Sequence, residues 1–280
     1  MIFGKDEKMN TIFFIILFIM GTLFGSFLTL ATYRIPLNKD ITHEHSFCPN
    51  CNHKLEFMDL IPVLSYLCLG GKCRYCKKKI SPRYITIELL TGLCFIGIAY
   101  ALEMSVYMIN AVQIIEYAIA ILYLIFLFLI AGIDAENKKI DKRVLIYGIT
   151  VACINIIYQY IYNIQNGYKY NLNRVIIYLF LTIILILVDL STIKKTNKYD
   201  YMFDLLILTI IMCLFTYEIT TIMSIACCIL IIGFIVIINK LFNKNKKRKK
   251  NRTKFPIAFY LVTSNIIMFI ISYLYMTYVF

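Results

Sequence analysis

Residues 112–133 read VQIIEYAIAILYLIFLFLIAGI, and residues 134–143 read DAENKKIDKR. The first stretch is 22 residues with one charge, Glu116 near its start. It is long enough to cross a hydrocarbon core of about 30 Å as a helix. The ten residues that follow carry seven charges. The solvent around the chain therefore changes at Asp134, and the same change recurs along the sequence. Stretches 10–32, 84–102, 144–163, 173–190, 201–217, 219–239 and 255–278 are also apolar enough to span, which predicts eight transmembrane helices. With 60% hydrophobic and only 16% charged residues, the composition excludes both a soluble globular domain and a disordered chain. The first stretch is too long for a cleavable signal peptide, lacks a small-residue cleavage site and follows Lys5, Asp6, Glu7 and Lys8.

A net charge of +13 could mark a nucleic-acid binder. Its distribution argues otherwise. Loops 33–83, 134–143, 191–200 and 240–254 hold 25 of the 29 Lys and Arg, and the connections that alternate with them hold the remaining four. The positive-inside rule puts the rich set in the cytoplasm and both termini outside. The run Lys244–Lys250 then reads as a topology anchor near anionic headgroups, with no nucleic acid as partner.

Ten cysteines divide by solvent. Cys94, Cys153, Cys213, Cys227 and Cys228 lie in spans, where the thiol is a small hydrophobe, and Cys68 stands alone in the first loop. The other four form two knuckles, Cys48-Pro-Asn-Cys51 and Cys73-Arg-Tyr-Cys76, at a zinc-ribbon spacing. Four thiolates would close a tetrahedral, structural zinc site, and a reducing cytoplasm disfavours disulfides. A loop of this size with little apolar content needs such a staple. His43, His45 and His53 read as solvent-facing residues beside it.

The acids in or at the ends of spans are Glu88, Glu116, Asp134, Asp189, Asp200, Asp204 and Glu218. Intramembrane ionisable groups are functional hypotheses by default. Asp134 and one of Asp189, Asp200 or Asp204 share the cytoplasmic end of their spans. Two adjacent carboxylates share one proton, so one can activate a water while the other donates to a carbonyl, which is aspartic-protease chemistry. The plain alternative is helix-end acids paired with Lys138, Lys139 or Lys194.

These residues resemble a known family, the type IV prepilin peptidases. Gly25-Ser26-Phe27-Leu28 with Tyr33-Arg34-Ile35-Pro36 is similar to the family's opening segment, with Thr29 where Asn is usual. Cys48–Cys51, Ile61–Leu67, Gly71–Cys76, Ile80–Tyr84 and Glu88–Gly92 follow in family order. Ile133-Asp134 with Ile140 resembles the first catalytic segment, with Asp141 in place of Pro, and Lys254-Phe255-Pro256 with Phe259 resembles a late one. The second catalytic motif departs from the Gly-x-Gly-Asp pattern: Asn197-Lys198-Tyr199-Asp200 has neither glycine, and Met202 replaces Lys. Asp200, 66 residues after Asp134, is the preferred second aspartate, ahead of Asp204 and then Asp189.

The resemblance implies an all-α polytopic membrane protein of the bacterial cytoplasmic membrane, with a cytoplasmic four-cysteine, zinc-ribbon-like insertion between its first two spans. In outline, residues 1–33 form the first span, 34–83 the zinc domain, 84–239 the peptidase core and 240–280 a basic loop and last span. It also implies a GxGD-type aspartic endopeptidase, with Asp134 and Asp200 as the dyad, that removes the basic leader of type IV prepilin or pseudopilin substrates. N-methylation of the new N-terminus, with S-adenosylmethionine as donor, would follow. The competing expectation is a proteolytically inactive relative that binds prepilins or acts as a scaffold, favoured by the missing glycines. A transporter reading is weaker, because no mid-span acid is flanked by helix breaks.

Overall fold

The computed structural model describes residues 3–168, 172–196, 201–242 and 255–279. Among them the helices are α1 (Phe3–Arg34), α2 (Leu64–Cys68), α3 (Arg83–Ala101), α4 (Ala111–Asn137), α5 (Lys142–Gln165), α6 (Leu172–Thr196), α7 (Tyr201–Phe242) and α8 (Ile257–Val279). Extended pairing among these residues is limited to two isolated bridges, Phe47 with Lys54 and Lys72 with Lys79. Six helices are long and apolar enough to span a membrane, and Leu172–Val188 and Tyr201–Thr216 are two shorter apolar helical segments. The protein is a multi-pass helical membrane protein.

Stretches 201–217 and 219–239 both belong to α7, which changes direction between them: Phe215 meets Phe269 of α8, whereas Ser224, nine residues on, accepts from Asn265, four residues earlier on α8. The turn expected near Glu218 falls within this reversal. The Glu218 charge is met locally, by the Arg174 guanidinium and by the Tyr178 hydroxyl at 3.2 Å.

Two compact units divide the chain. The first comprises residues 1–121 with 273–280, and the second residues 122–272. In the first, α1 and α3 pack at backbone distance through glycines. A Cβ on Gly21 would lie 2.7 Å from Gly92 Cα, and one on Gly25 would lie 2.7 Å from Glu88 Cα. Gly21 and Gly25 form a G-x-x-x-G face, which membrane helices use because close approach, and not water exclusion, drives their association. Beyond the glycines, Leu17, Ala99 and Met104 form a core with Phe13, Phe14 and Tyr117 around it.

The second unit is centred on Tyr123, whose ring stacks on Phe215 at 3.9 Å and meets Phe269 edge-on. Its hydroxyl donates to Asn265 Oδ1 at 2.8 Å, and Asn265 Nδ2 donates to Ser224 Oγ at 3.1 Å. In an apolar interior such a relay satisfies polar groups that lipid cannot. Asp141, which stands where the resemblance expects Pro, starts α5 instead as its N-cap, accepting from Arg143 N at 3.0 Å.

Candidate active site and metal centre

The two cysteine knuckles repeat one backbone design 25 residues apart. Asn52 N donates to Cys48 O at 2.8 Å and Cys48 N to His53 O at 2.9 Å; in the second knuckle Lys77 N donates to Cys73 O at 3.0 Å and Cys73 N to Lys78 O at 2.9 Å. Asn52 and Lys77 both take positive φ, 55° and 58°, to turn the chain back after the second cysteine. Outside these turns, Leu55 N donates to Ser46 O and Ile80 N to Gly71 O. The result brings Cys48, Cys51, Cys73 and Cys76 together, with all four Sγ atoms within 4.8 Å of one another.

The donor set fits zinc. A tetrahedral Zn–S bond of about 2.3 Å gives sulfur–sulfur edges of about 3.8 Å, and Cys48 Sγ lies 3.9 Å from Cys76 Sγ across the two knuckles. All four thiols are free. The Lys78 backbone N–H, with the Asn50 side chain, draws the Cys76 thiol down to about 6. Against the His53 backbone N–H, which draws it down, burial and the neighbouring Cys48 and Cys76 sulfurs push Cys51 up to about 11. One thiolate is thus in place at neutral pH, and another is freed by the cation itself.

Side chains tie the knuckles to their surroundings. The His53 ring lies 3.6 Å from the Tyr75 ring, so this histidine braces one knuckle against the other. Asp59 accepts from Arg74 Nε at 2.7 Å and from the Tyr75 hydroxyl at 3.1 Å. Despite burial, that guanidinium holds the Asp59 carboxyl below its ordinary range. At the end of α1, the buried Arg34 donates to the carbonyls of Asp40, Glu44 and His45 at 2.9–3.1 Å. Its fork gathers a loop that has no ladder of its own.

The second candidate centre lies in the other unit. Asp134, in the last turn of α4, has no exposed surface. Its Oδ1 accepts from the Tyr201 hydroxyl at 3.0 Å, and its Oδ2 from Phe259 N at 2.9 Å. The Tyr201 oxygen in turn accepts from Ala258 N at 2.8 Å. Ala258 and Phe259 are in the first turn of α8, whose amide hydrogens lack intrahelical acceptors and concentrate positive potential. Asp134 therefore faces a helix N-terminus, directly and through Tyr201. Asp204 lies one turn along α7 from Tyr201, on the same helix face, and is buried at 1% exposure.

Of the acids expected from the sequence, Asp134 and the start of α7 come together. Asp200 lies outside the described residues, as does the side chain of Asp189. Glu218 pairs with Arg174 away from this cluster. Glu88, buried in α3, accepts from Val63 N at 2.8 Å and anchors the first loop. Tyr201 is the contributor that sequence reasoning missed. Its signal was the i to i+3 spacing to Asp204, which gains meaning only once α8 is known to start against Tyr201 and Asp134.

Residues 19–102 match the family model described as the bacterial peptidase A24 N-terminal domain. The chain is similar to proteins named prepilin leader peptidase/N-methyltransferase from three bacteria. It is 45% identical to that of Myxococcus xanthus (strain DK1622) over 84 residues, 30% of this chain and 25% of the relative. With the Klebsiella pneumoniae protein the identity is 33% over 128 residues, 44% of this chain and 52% of the relative. With the Bacillus subtilis (strain 168) protein it is 34% over 134 residues, 47% and 50% respectively. The chain thus spans between a quarter and about half the length of these relatives. No solved structure matches it significantly.

Proposed function

From the similarity of residues 19–102 to the bacterial peptidase A24 N-terminal domain and of the chain to prepilin leader peptidases, we propose an aspartic membrane endopeptidase with Asp134 as one of its two carboxylates. The observation that carries the proposal is the fully buried Asp134, held at the first turn of α8 and wired through Tyr201 to the start of α7. Both Asp134 oxygens accept hydrogen bonds, which suits the base that orients a water; its partner would hold the proton given to the scissile carbonyl. Asp204 is the better-supported partner, because it is buried and follows Tyr201 by one turn. Asp200 stays a candidate on its spacing from Asp134.

The substrate would be a type IV prepilin or pseudopilin, cleaved on the cytoplasmic face, to which the positive-inside rule would assign this end of α4 from its basic loop. Methylation of the freed N-terminus would follow, with S-adenosylmethionine as donor, as the names of the relatives suggest. Zinc on Cys48, Cys51, Cys73 and Cys76 would be structural, since four thiolates leave no open coordination position.

One observation favours the competing reading of an inactive relative. Asp134 already has both oxygens engaged, as a side-chain cap for α8 would. Co-expression with a prepilin, scored by the mobility shift of leader removal, separates the two. Asp134→Asn and Asp204→Asn should each lower processing by about 10²–10⁴-fold, the range for a lost acid–base group. Wild-type protein that fails to process any prepilin would sink the peptidase reading. Processing that survives Asp204→Asn but not Asp200→Asn would return the second role to Asp200.

A further inference from the structure

The first loop carries apolar surface in an unexpected place. In helix α2 the exposed side is the apolar one: Leu64, Leu67 and Cys68 share a face, and the two leucines are 60% and 62% exposed. Just upstream, Phe57 and Met58 are 78% and 60% exposed. Residues 60–71, LIPVLSYLCLGG, include no charged side chain, in a loop that is otherwise rich in Lys and Arg. A helix in water would turn this face inward.

A hydrogen bond fixes the depth of this segment. Val63 N donates to Glu88 Oε2 at 2.8 Å, and Glu88 is the sixth residue of α3. That places it about 7 Å along the helix axis from Arg83. The start of α2 is therefore level with the second turn of a membrane-spanning helix. Close by on α3, Leu89, Leu90 and Leu93 are exposed apolar side chains of the kind lipid covers.

The backbone is prepared for a medium without water. Leu64 N donates to Pro62 O across a γ-turn in which Val63 holds φ 61°, a conformation strained for a β-branched residue. Ser65, Leu67, Leu69, Gly70, Gly71 and Lys72 donate to Ile61, Val63, Ser65, Leu67, Tyr66 and Leu69 carbonyls, all within the segment. Non-helical backbone reaches membrane depth only when its polar groups are met internally in this way.

We propose that residues 57–69 form an interfacial membrane anchor. Its apolar face, with Phe57, Met58, Leu64 and Leu67, is covered by lipid acyl chains at the headgroup boundary, and Glu88 holds it there. The occupant is lipid, because the segment is pinned at the depth of α3 and continues that helix's exposed apolar side. The anchor sets the height of the cysteine knuckles above the bilayer and does not depend on the peptidase reading.

The chain has no Trp, so one introduced Trp is a unique reporter. The full-length protein with Leu67→Trp, with Leu64→Trp, or with Lys54→Trp on the exposed first knuckle would be reconstituted in phosphatidylcholine/phosphatidylglycerol vesicles, with zinc content confirming an intact ribbon. The expected result is that acyl-chain-brominated phosphatidylcholine quenches most of the emission at 67 and 64, while aqueous iodide quenches only position 54. Iodide quenching at 67 and 64 equal to that at 54, without bromolipid quenching, would overturn the anchor. Shielding of 67 and 64 from both quenchers would also overturn it, because the cover would then be protein.

Discussion

The cysteine ribbon and the Asp134 junction hold polar groups in place by opposite means. In the ribbon, partners are near in sequence and repeat: each knuckle closes on itself within six residues, and the second copies the first at a spacing of 25. At the junction, partners are remote, with Asp134 reaching Tyr201 and Phe259 across separations of 67 and 125 residues. The ribbon has few apolar side chains to bury, so a bound cation would stand in for a core. The junction is set in helices that the bilayer and close packing already hold, so its polar groups need only find one another. A region built on one ion should fail as a unit, and one built on many long-range contacts should fail by increments.

Removing the metal should therefore have the largest effect. Structural zinc contributes about 10–16 kcal/mol of apparent binding energy in small Cys and His sites. Chelation, or Cys48→Ser with Cys73→Ser, should make residues 40–80 protease-sensitive while the spanning helices stay protected, read by limited proteolysis of the protein in detergent. Protection of the loop without metal would break the comparison at its root. The binding should also depend on pH in a stated direction. Protons compete for the thiolates, so zinc affinity should fall as pH drops through the Cys76 value of about 6. Binding at neutral pH should release protons, Cys51 with its value of about 11 being one source. Zinc titrations at several pH values check both.

Incremental failure is tested at the helix crossing of the first unit. Gly25→Ala places a methyl 2.7 Å from Glu88 Cα and from Thr91 Oγ1 and 3.2 Å from Ile87 O, so two of these three neighbours are backbone that can move only with its helix. The expected cost is about 1–3 kcal/mol, as for other overpacked sites, read as a lower melting temperature in detergent with zinc retained. In the second unit, a Cβ on Gly148 would press into the ring of Phe126, which is fully buried against Tyr123, so Gly148→Ala should cost a comparable amount. A negligible loss at either position would show that close approach there is not what holds the helices together.

How much of this was legible in the sequence follows the same division. The ribbon was readable because its chemistry is local: C-x2-C spacing dictates a turn, and two turns dictate a four-sulfur site. The spans were readable because hydrocarbon admits little besides apolar helix. The change of direction within α7 was readable too, as the turn near Glu218. Its partners were not, since nothing local announces that Arg174 and Tyr178, some forty residues upstream, will meet the Glu218 charge. The weight given to Asp204 changed for the same reason. Counting residues from Asp134 favours Asp200, whereas burial and the Tyr201 contact, both tertiary facts, favour Asp204. His53 is exposed, as read from the sequence, and its contact with the Tyr75 ring is a tertiary detail that spacing alone does not reveal.

The smallest expected effect discriminates best between the two readings of Asp134. Tyr201→Phe keeps the ring and removes one oxygen, which donates to Asp134 and accepts from Ala258 N. The loss leaves an α8 amide hydrogen without its partner in a buried site, at a cost of about 1–2 kcal/mol. If Asp134 serves only to cap α8, the consequence ends there, as a small fall in thermal stability. If Asp134 is the base, its carboxylate also loses the donor that orients one oxygen, and prepilin processing should drop by more than the stability change predicts, through kcat and not KM. A variant with wild-type processing and lowered stability would make Tyr201 a structural relay alone. One with lowered processing and unchanged stability would place its hydroxyl among the groups that position the reaction, and the junction would then be catalytic on a line of argument independent of the family match.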